Sequence, residues 1–138
     1  MMSDAQQYFL DTSFIVALLD AVDVYHAKAT QALATIELQP HELFLSDVAV
    51  SETLSVFAKR CEAKRQTKRF PDLAKAFQDL MQRLPILSLY ELVPQNYKHI
   101  LQQMIRSESR LSFNDCLIQL FLKQVSQVKI LTFDGDLL

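Results

Sequence analysis

Acidic side chains stand at widely separated points of this 138-residue chain, in places where folding alone does not require them. Asp11 follows the short apolar run 8–10, which reads as a buried strand, and precedes the apolar segment 12–19, which reads as a buried helix. Asp134 repeats this placement after the run 130–133. Ligands of open α/β sheets bind at the carboxyl ends of strands, where helix N-termini also point. Taken singly, either aspartate is equally well explained as a helix cap or a turn residue.

Glu52 has the least ordinary surroundings of these acids. On the helix expected from residue 47 onwards, its neighbours one turn away are Val48, Ala49 and Val56. An exposed structural glutamate prefers a lysine or arginine at those spacings, and none is present. A carboxylate on an apolar stripe needs a counter-charge, because burying it unpaired costs several kcal/mol or shifts its pKa. A divalent cation would supply that charge.

Asp115 has a simpler structural explanation. Ser112 and Asp115 are spaced like a capping box at the start of a helix, where the helix dipole alone favours a carboxylate. The following helix carries apolar residues around most of its circumference, so we expect the fold to enclose it. Its polar residues form a narrow line that faces either solvent or a cleft: Ser112, Asp115 and Gln119.

Short apolar strands alternate with helical segments along the chain. The strands are expected near 7–10, 42–46, 86–89 and 128–132. The helices are expected near 12–19, 23–36, 47–60, 70–83, 94–106 and 112–124. Residues 60–70 read as either a helical extension or a loop before Pro71. Such alternation predicts an α/β fold, with a parallel sheet covered by helices on both faces, in a single domain over 1–138.

Composition excludes several classes of protein. Half of the residues are hydrophobic, which argues against a disordered chain. Gly135 is the only glycine, so glycine-rich loops that cradle phosphates or dinucleotides are absent. No uncharged apolar run approaches the ~18 residues of a membrane span, and the amino terminus lacks the basic start of a signal peptide. We therefore expect a cytoplasmic protein whose cysteines, Cys61 and Cys116, remain thiols.

Charge is nearly balanced but unevenly distributed. With 14 basic and 16 acidic residues the net charge is −2, so bulk electrostatics do not predict binding to nucleic acid. Basic residues nevertheless concentrate between 59 and 69, where only Glu62 opposes them: Lys59, Arg60, Lys64, Arg65, Lys68 and Arg69. Such a run is most often a solvated surface. Its position after the helix that carries Glu52 leaves contact with phosphates open.

The short motifs around the acids resemble, in the same order, those of PIN-domain ribonucleases, especially VapC-type toxins of toxin–antitoxin pairs. The motifs are Asp11-Thr12-Ser13, Ser51-Glu52, Phe113-Asn114-Asp115 and Thr132-Phe133-Asp134. The resemblance spans nearly the whole chain. It implies a three-layer α/β/α fold with a central parallel sheet of about four to five strands, and hydrolysis of RNA phosphodiesters with Mg²⁺ or Mn²⁺.

The resemblance also implies a role for individual residues. The catalytic, metal-binding positions would be Asp11, Glu52, Asp115 and Asp134. Thr12 or Ser13 would orient a ligand or a water on the metal, and Asn114 would support the metal ligands. Asp136 is a rival for the fourth position, because the family varies most at this end. The basic residues that would contact RNA are Lys59, Arg60, Lys64 and Arg65. Further partners would be a protein antitoxin and a second copy of the chain.

The chemistry of the donors agrees with this interpretation independently. Oxygen-only ligands suit Mg²⁺ or Mn²⁺, whereas the histidines do not cluster with the acids as in a zinc site. We interpret all three as structural residues: His26, His41 and His99. The apolar surface of the helices near 94–106 and 112–124 exceeds what one small sheet covers, which predicts a homodimer.

Alternative functions need residues that this chain lacks. A haloacid-dehalogenase-like phosphatase also places an aspartate after its first strand, but needs a second aspartate where this chain has Ser13. A signalling receiver needs an acidic pair before that position and a lysine after a later strand. The remaining alternative is a non-catalytic PIN-like module that binds RNA or protein, and the presence of all four acids argues against it.

Overall fold

A computed structural model describes residues 4–137 as a sheet flanked by helices. The strands are β1 (Gln6–Leu10), β2 (His41–Ser46), β3 (Ile86–Leu87) and β4 (Val128–Leu131). The helices are α1 (Thr12–Leu19), α2 (His26–Ile36), α3 (Asp47–Ala63), α4 (Phe70–Arg83), α5 (Val93–Arg106) and α6 (Phe113–Gln124). Short 3₁₀ turns occupy Thr67–Arg69, Tyr90–Leu92 and Gly135–Leu137.

The sheet is parallel throughout, with the strand order β3-β2-β1-β4. This confirms the predicted α/β class and gives four strands, within the expected four to five. The chain runs from β1 outward to β2 and β3, and then returns to place β4 on the other side of β1. The carboxyl ends of β1 and β4 therefore flank the point where the strand order reverses, which is where open α/β sheets bind ligands.

The sheet separates two apolar layers because successive side chains of a strand point to opposite faces. Leu10 packs in a cluster with residues from α1, α2, α3 and α4, whereas its neighbour Phe9 packs with residues from α5 and α6. Leu45 and Phe44 on β2 divide in the same way. The expected three-layer arrangement is thus confirmed.

The boundaries differ from the sequence prediction where polar contacts at the ends of elements intervene. Helix α2 begins at His26 instead of near 23, because Asp23 forms a turn whose backbone carbonyl accepts the His26 N–H at 3.0 Å. Strand β3 ends at Leu87 instead of near 89, because the backbone N–H of Leu89 donates a 2.9 Å hydrogen bond to the Asp47 carboxylate and not to a neighbouring strand. Ser112 caps α6 from outside, so the helix itself starts one residue later than predicted.

The segment 60–70 combines both structures that the sequence allowed. Helix α3 extends to Ala63, a turn follows in which Arg65 has a φ of 52°, and a 3₁₀ turn leads into α4. Cys61 lies in this charged segment but is buried in the core, and Cys116 is buried on α6; neither forms a disulfide.

Within residues 4–137, none of the helices combines the length and the apolar character needed to cross a membrane. The expectation about a signal peptide rests in part on residues 1–3, which lie outside the described residues.

Candidate active site

A cavity of about 380 Å³ opens at the carboxyl ends of β1 and β4, and all four predicted acids line it. Asp11 follows β1, Glu52 comes from α3, Asp115 from the first turn of α6, and Asp134 from the loop after β4. The rest of the lining is Thr12, Ser13, Val16, Asp23, Val24, Tyr25, Val56, Arg60 and Phe133. Residues that lie far apart in the sequence thus converge on one acidic cleft.

Asp11 is buried, with 5% of its surface exposed. It occupies the N-cap position of α1, yet its side chain makes no capping hydrogen bond, so the helix-cap explanation does not account for it. Instead, its Oδ2 accepts hydrogen bonds from Thr132 Oγ1 at 2.8 Å and Ser13 Oγ at 3.2 Å. Burial raises the pKa of Asp11, and these hydroxyl donors oppose that rise.

Two hydroxyl groups tie the loop after β4 to the start of α1. Ser13 Oγ accepts the backbone N–H of Phe133 at 2.9 Å and lies 3.0 Å from Thr132 Oγ1. Thr132 Oγ1 in turn accepts the backbone N–H of Asp134 at 2.9 Å. Both hydroxyls therefore orient Asp11 while they fix the backbone that carries Asp134. The sequence indicated Ser13 as a residue of the site, whereas Thr132 stood out only as part of the motif around Asp134.

Glu52 is half-buried on α3, as its apolar neighbours indicated. Burial raises its pKa, and the negative charges of Asp11, Asp115 and Asp134 raise it further. The nearby Asn114 side chain acts in the opposite direction, lowering the pKa of Glu52 and partly offsetting these effects. The other three acids thus repel the Glu52 carboxylate, and a cation bound among them would relieve that repulsion.

Asp115 and Asp134 have local structural contacts as well as a place in the cavity. Asp115 completes the predicted capping box, since its Oδ2 accepts the Ser112 N–H at 3.0 Å and Ser112 Oγ accepts the Asp115 N–H at 3.0 Å. Asp134 Oδ1 accepts the Asp136 N–H at 2.9 Å. The capping and turn explanations are therefore correct without excluding a functional one.

Asp136, the rival for the fourth position, is placed differently. Its carboxylate pairs with Arg110 at 2.5 Å at the surface, and it does not belong to the lining of the acidic cavity. Its backbone carbonyl accepts a hydrogen bond from Gln119 Nε2 at 3.2 Å. The geometry therefore favours Asp134 over Asp136 as the acid of this cleft.

Thr12 contributes an unpartnered polar atom. Its Oγ1 is buried beside the cavity and has no hydrogen-bond partner among the described residues, although buried hydroxyls usually have one. Thr53, the neighbour of Glu52, shares this property on α3.

Arg60 is the one cation among the described residues that lines the cavity, and it is already paired. Its Nη1 lies 2.8 Å from Asp23 Oδ2 and 3.3 Å from Asp20 Oδ2. Arg69 Nη2 binds the other oxygen of Asp20 at 3.0 Å. Burial alone would raise the pKa of Asp20, but the two arginines and the Val22 N–H outweigh it and hold that pKa below its usual value.

The remaining basic residues of the predicted RNA-binding segment lie apart from the acids. Lys59, Lys64 and Arg65 are exposed and do not contribute to the lining of the acidic cavity. The basic run is thus divided between exposed side chains and two arginines, Arg60 and Arg69, that form ion pairs with Asp20.

The histidines lie outside the acidic cavity, in agreement with a structural interpretation. His26 Nδ1 hydrogen-bonds the Ala17 carbonyl at 2.8 Å, and His41 Nδ1 hydrogen-bonds the Gln39 carbonyl at 2.8 Å. In the part of the chain that is described, no three His, Cys, Asp or Glu side chains stand close enough to hold a metal ion as they are placed.

The aromatic side of the cavity was not predicted from the sequence. Tyr25 stacks on Phe133 with ring centroids 4.6 Å apart, and Phe133 stacks on Phe14 at 5.7 Å. The only sequence signal for this was the apolar character of Phe133 beside Asp134, because Tyr25 lies more than one hundred residues away along the chain.

The amino-acid sequence matches a known family. The PIN domain family matches residues 8–138, and the chain belongs to it. Comparison with curated protein sequences found no match.

Solved VapC and VapBC structures share the fold. VapC20 of Mycobacterium tuberculosis, a toxin that cleaves the sarcin–ricin loop, superposes with a TM-score of 0.70 at 22% identity, covering 94% of this chain and 92% of that one. DNA-bound VapBC2 of Rickettsia felis gives 0.55 at 14% identity over 93% and 99% of the two chains. DNA-bound VapBC of Salmonella typhimurium gives 0.54 at 11% identity over 94% and 99%.

Proposed function

We propose that this protein is a metal-dependent endoribonuclease and the toxin of a toxin–antitoxin pair. The observation that carries the proposal is the convergence of Asp11, Glu52, Asp115 and Asp134 on one cavity at the switch point of the sheet. Membership of the PIN domain family and the likeness in fold to VapC toxins support it.

The donors in the cavity fit Mg²⁺ or Mn²⁺. Carboxylate and hydroxyl oxygens are the ligands that these hard cations prefer. Mg²⁺ usually keeps several waters and binds through one or two carboxylates together with substrate phosphates, so a ready-made group of three protein ligands is not required. The repulsion that raises the pKa of Glu52 would be relieved by a bound cation. When bound, the cation would activate a water for attack on phosphorus and stabilise the leaving oxygen.

The protein's own residues would supply position and charge. Asp11, Glu52, Asp115 and Asp134 would hold the cation. Ser13 and Thr132 would keep the Asp11 carboxylate in one orientation, since both hydroxyls lie within hydrogen-bonding distance of its Oδ2. The side-chain amide of Asn114 would do the same for Glu52. The unpartnered hydroxyl of Thr12 would take a water or a substrate oxygen.

The substrate and partners follow from the same proposal. The exposed cations Lys59, Lys64 and Arg65 would contact RNA phosphates, and Arg60 would meet the substrate at the cavity wall. VapBC complexes are among the structures that share this fold, which supports a protein antitoxin as a partner. A homodimer is proposed from the exposed apolar side chains of α5, Tyr97, Leu101 and Ile105.

Cleavage of RNA with and without a divalent cation tests the proposal. Purified protein should cut RNA in Mg²⁺ or Mn²⁺ and should lose this activity in EDTA. Activity that survives chelation would contradict the metal-dependent mechanism. Titration with Mn²⁺ separates the non-catalytic alternative, since a module that only binds RNA would show neither saturable metal binding nor cleavage.

A further inference from the structure

The acidic cavity has an aromatic wall that the proposed metal chemistry does not use. Phe14, Phe133 and Tyr25 form a column of nearly parallel rings. The interplanar angle is 14° between Phe14 and Phe133 and 5° between Phe133 and Tyr25. Phe14 lies in the core with 3% of its surface exposed, whereas Tyr25 remains 40% exposed. The column therefore runs from the core to the mouth of the cavity and ends in an accessible ring.

The segment that carries Tyr25 is held in place by charged groups. The Tyr25 N–H donates to Asp23 Oδ1 at 2.9 Å, and the Val22 N–H donates to Asp20 Oδ1 at 3.2 Å. Arg60 Nη1 binds the second oxygen of each of these aspartates. The ring is thus fixed before any ligand arrives, which lowers the entropy cost of binding to it.

An exposed aromatic ring beside a phosphate-processing site suits a nucleobase. Single-stranded nucleic acid is commonly held by bases that stack on aromatic side chains, and every base offers a π-face. Phe133 is followed directly by Asp134, so the aromatic wall and the acids share one loop. A nucleotide whose phosphate faces the acids would therefore carry its base beside Tyr25.

Lys28 lies next to this ring and complements the arrangement. Its Nζ is 5.6 Å from the centroid of the Tyr25 ring, within the range of a cation–π contact. Lys28 is exposed at the surface of α2, so its flexible side chain can move aside for a base and meet a neighbouring phosphate.

We propose that Tyr25 is a stacking platform for a nucleobase of single-stranded RNA, next to the phosphodiester that the acids address. The identity of the polymer as RNA rests on the proposed function. The platform itself rests on the ring column, the exposure of Tyr25 and the clamp formed by Arg60 and the two aspartates.

The test uses a single-stranded RNA of about 8 nucleotides that carries the fluorescent adenine analogue 2-aminopurine at one position at a time. All proteins carry Glu52→Gln, so that cleavage does not interfere with binding. Stacking should quench the fluorescence at one or two neighbouring positions. Tyr25→Leu should abolish that quenching and weaken binding roughly tenfold, whereas Tyr25→Phe, which keeps the ring, should preserve both. Tyr90→Leu is the matched control, because Tyr90 is 41% exposed in the 3₁₀ turn Tyr90–Leu92 and lies outside both the cavity lining and the proposed dimer surface of α5.

Removal of the base gives a second measurement that does not depend on how the variants fold. An abasic nucleotide at the quenched position should weaken binding to the Tyr25-containing protein as much as Tyr25→Leu does. Equal binding by Tyr25→Leu, or quenching that persists in it, would overturn the platform. The binding assay uses a variant that does not cut, so its result is independent of cleavage. Failure of the parent protein to cut RNA would instead contradict the proposed function.

Discussion

The hydroxyl of Thr132 donates a 2.8 Å hydrogen bond to Asp11 Oδ2, although the two residues lie 121 positions apart. This contact joins the carboxyl ends of β1 and β4, the two strands between which the sheet order reverses. It orients the most buried acid of the cleft from the loop that carries another acid, Asp134. The shape of the site therefore depends on a residue that need not touch a metal itself.

Replacing Thr132 with valine removes this donor and keeps the shape of the side chain. We expect cleavage to fall about 10- to 100-fold, because Asp11 loses its orienting partner, and stability to fall by about 1–2 kcal/mol. Thr35→Val is the control, since it removes an exposed hydroxyl that bonds only within α2. Initial rates of RNA cleavage and urea denaturation provide the measurements. A Thr132→Val protein that cuts as fast as the parent would show that the contact does not matter to the chemistry.

The stability of the metal-free protein should depend on pH through Asp11 and Glu52. Burial raises the pKa of both, and neighbouring acids add to the rise for Glu52. The folded protein then keeps protons that the unfolded chain has released. This stabilisation is complete below the unfolded pKa, about 4, and is lost as the pH rises through the folded pKa. The free energy of unfolding should therefore fall over this range in EDTA.

Glu52→Gln should flatten that fall, because the amide cannot ionise. Mn²⁺ should reverse it, since the cation binds the deprotonated acids. Denaturation curves at several pH values between about 4 and 7 measure both effects. If the free energy of unfolding in EDTA falls equally with pH in the parent and in Glu52→Gln, the Glu52 carboxylate does not destabilise the metal-free protein.

The exposed basic residues after Glu52 should contribute to RNA binding through phosphate contacts. Reversal of Lys64 and Arg65 to glutamate should weaken binding and reduce the dependence of affinity on salt, because each lost contact releases about one counterion fewer. Lys123→Glu with Lys129→Glu makes the same change of charge at exposed positions of α6 and β4, outside the basic segment. If both double variants have the salt slope of the parent, the basic segment is only a solvated surface.

A homodimer should form through the exposed apolar stripe of α5. The apolar sequence of α6 also predicted a part in the interface, but those apolar residues are packed in the core, so this helix is not available for an interface. Leu101→Glu should shift sedimentation at micromolar concentration from about twice the 15.9 kDa chain mass to the single-chain mass. Leu38→Glu, at a residue that is 84% exposed elsewhere, should leave the dimer intact. A parent protein that sediments as a monomer would contradict the dimer without affecting the acidic cleft.

Features of the site that depend on neighbouring residues could be predicted from the sequence. The strand-end positions of Asp11 and Asp134, the capping box of Asp115 and the apolar neighbours of Glu52 were all visible within a few residues, and the structure brings these acids together. Contacts between distant segments could not be predicted in this way. The turn at Asp23, after which α2 begins later than predicted, includes a contact with the distant Arg60. The stacked rings likewise join Tyr25 to the distant Phe133. The pairing of Arg60 and Arg69 with Asp20 likewise divides a basic run that looks uniform in the sequence.

We propose that the four acids form a single metal-dependent nuclease centre. The most direct test is the rate of RNA cleavage by Asp11→Asn in saturating Mn²⁺, compared with the parent and with Asp136→Asn. Asp11→Asn keeps the size of the side chain and removes its charge, so the rate should fall by at least about 100-fold while the circular-dichroism spectrum stays that of the parent. Asp136→Asn should cut at close to the parental rate, because that carboxylate pairs with Arg110 outside the cavity lining. A folded Asp11→Asn protein that retains parental activity would contradict the claim.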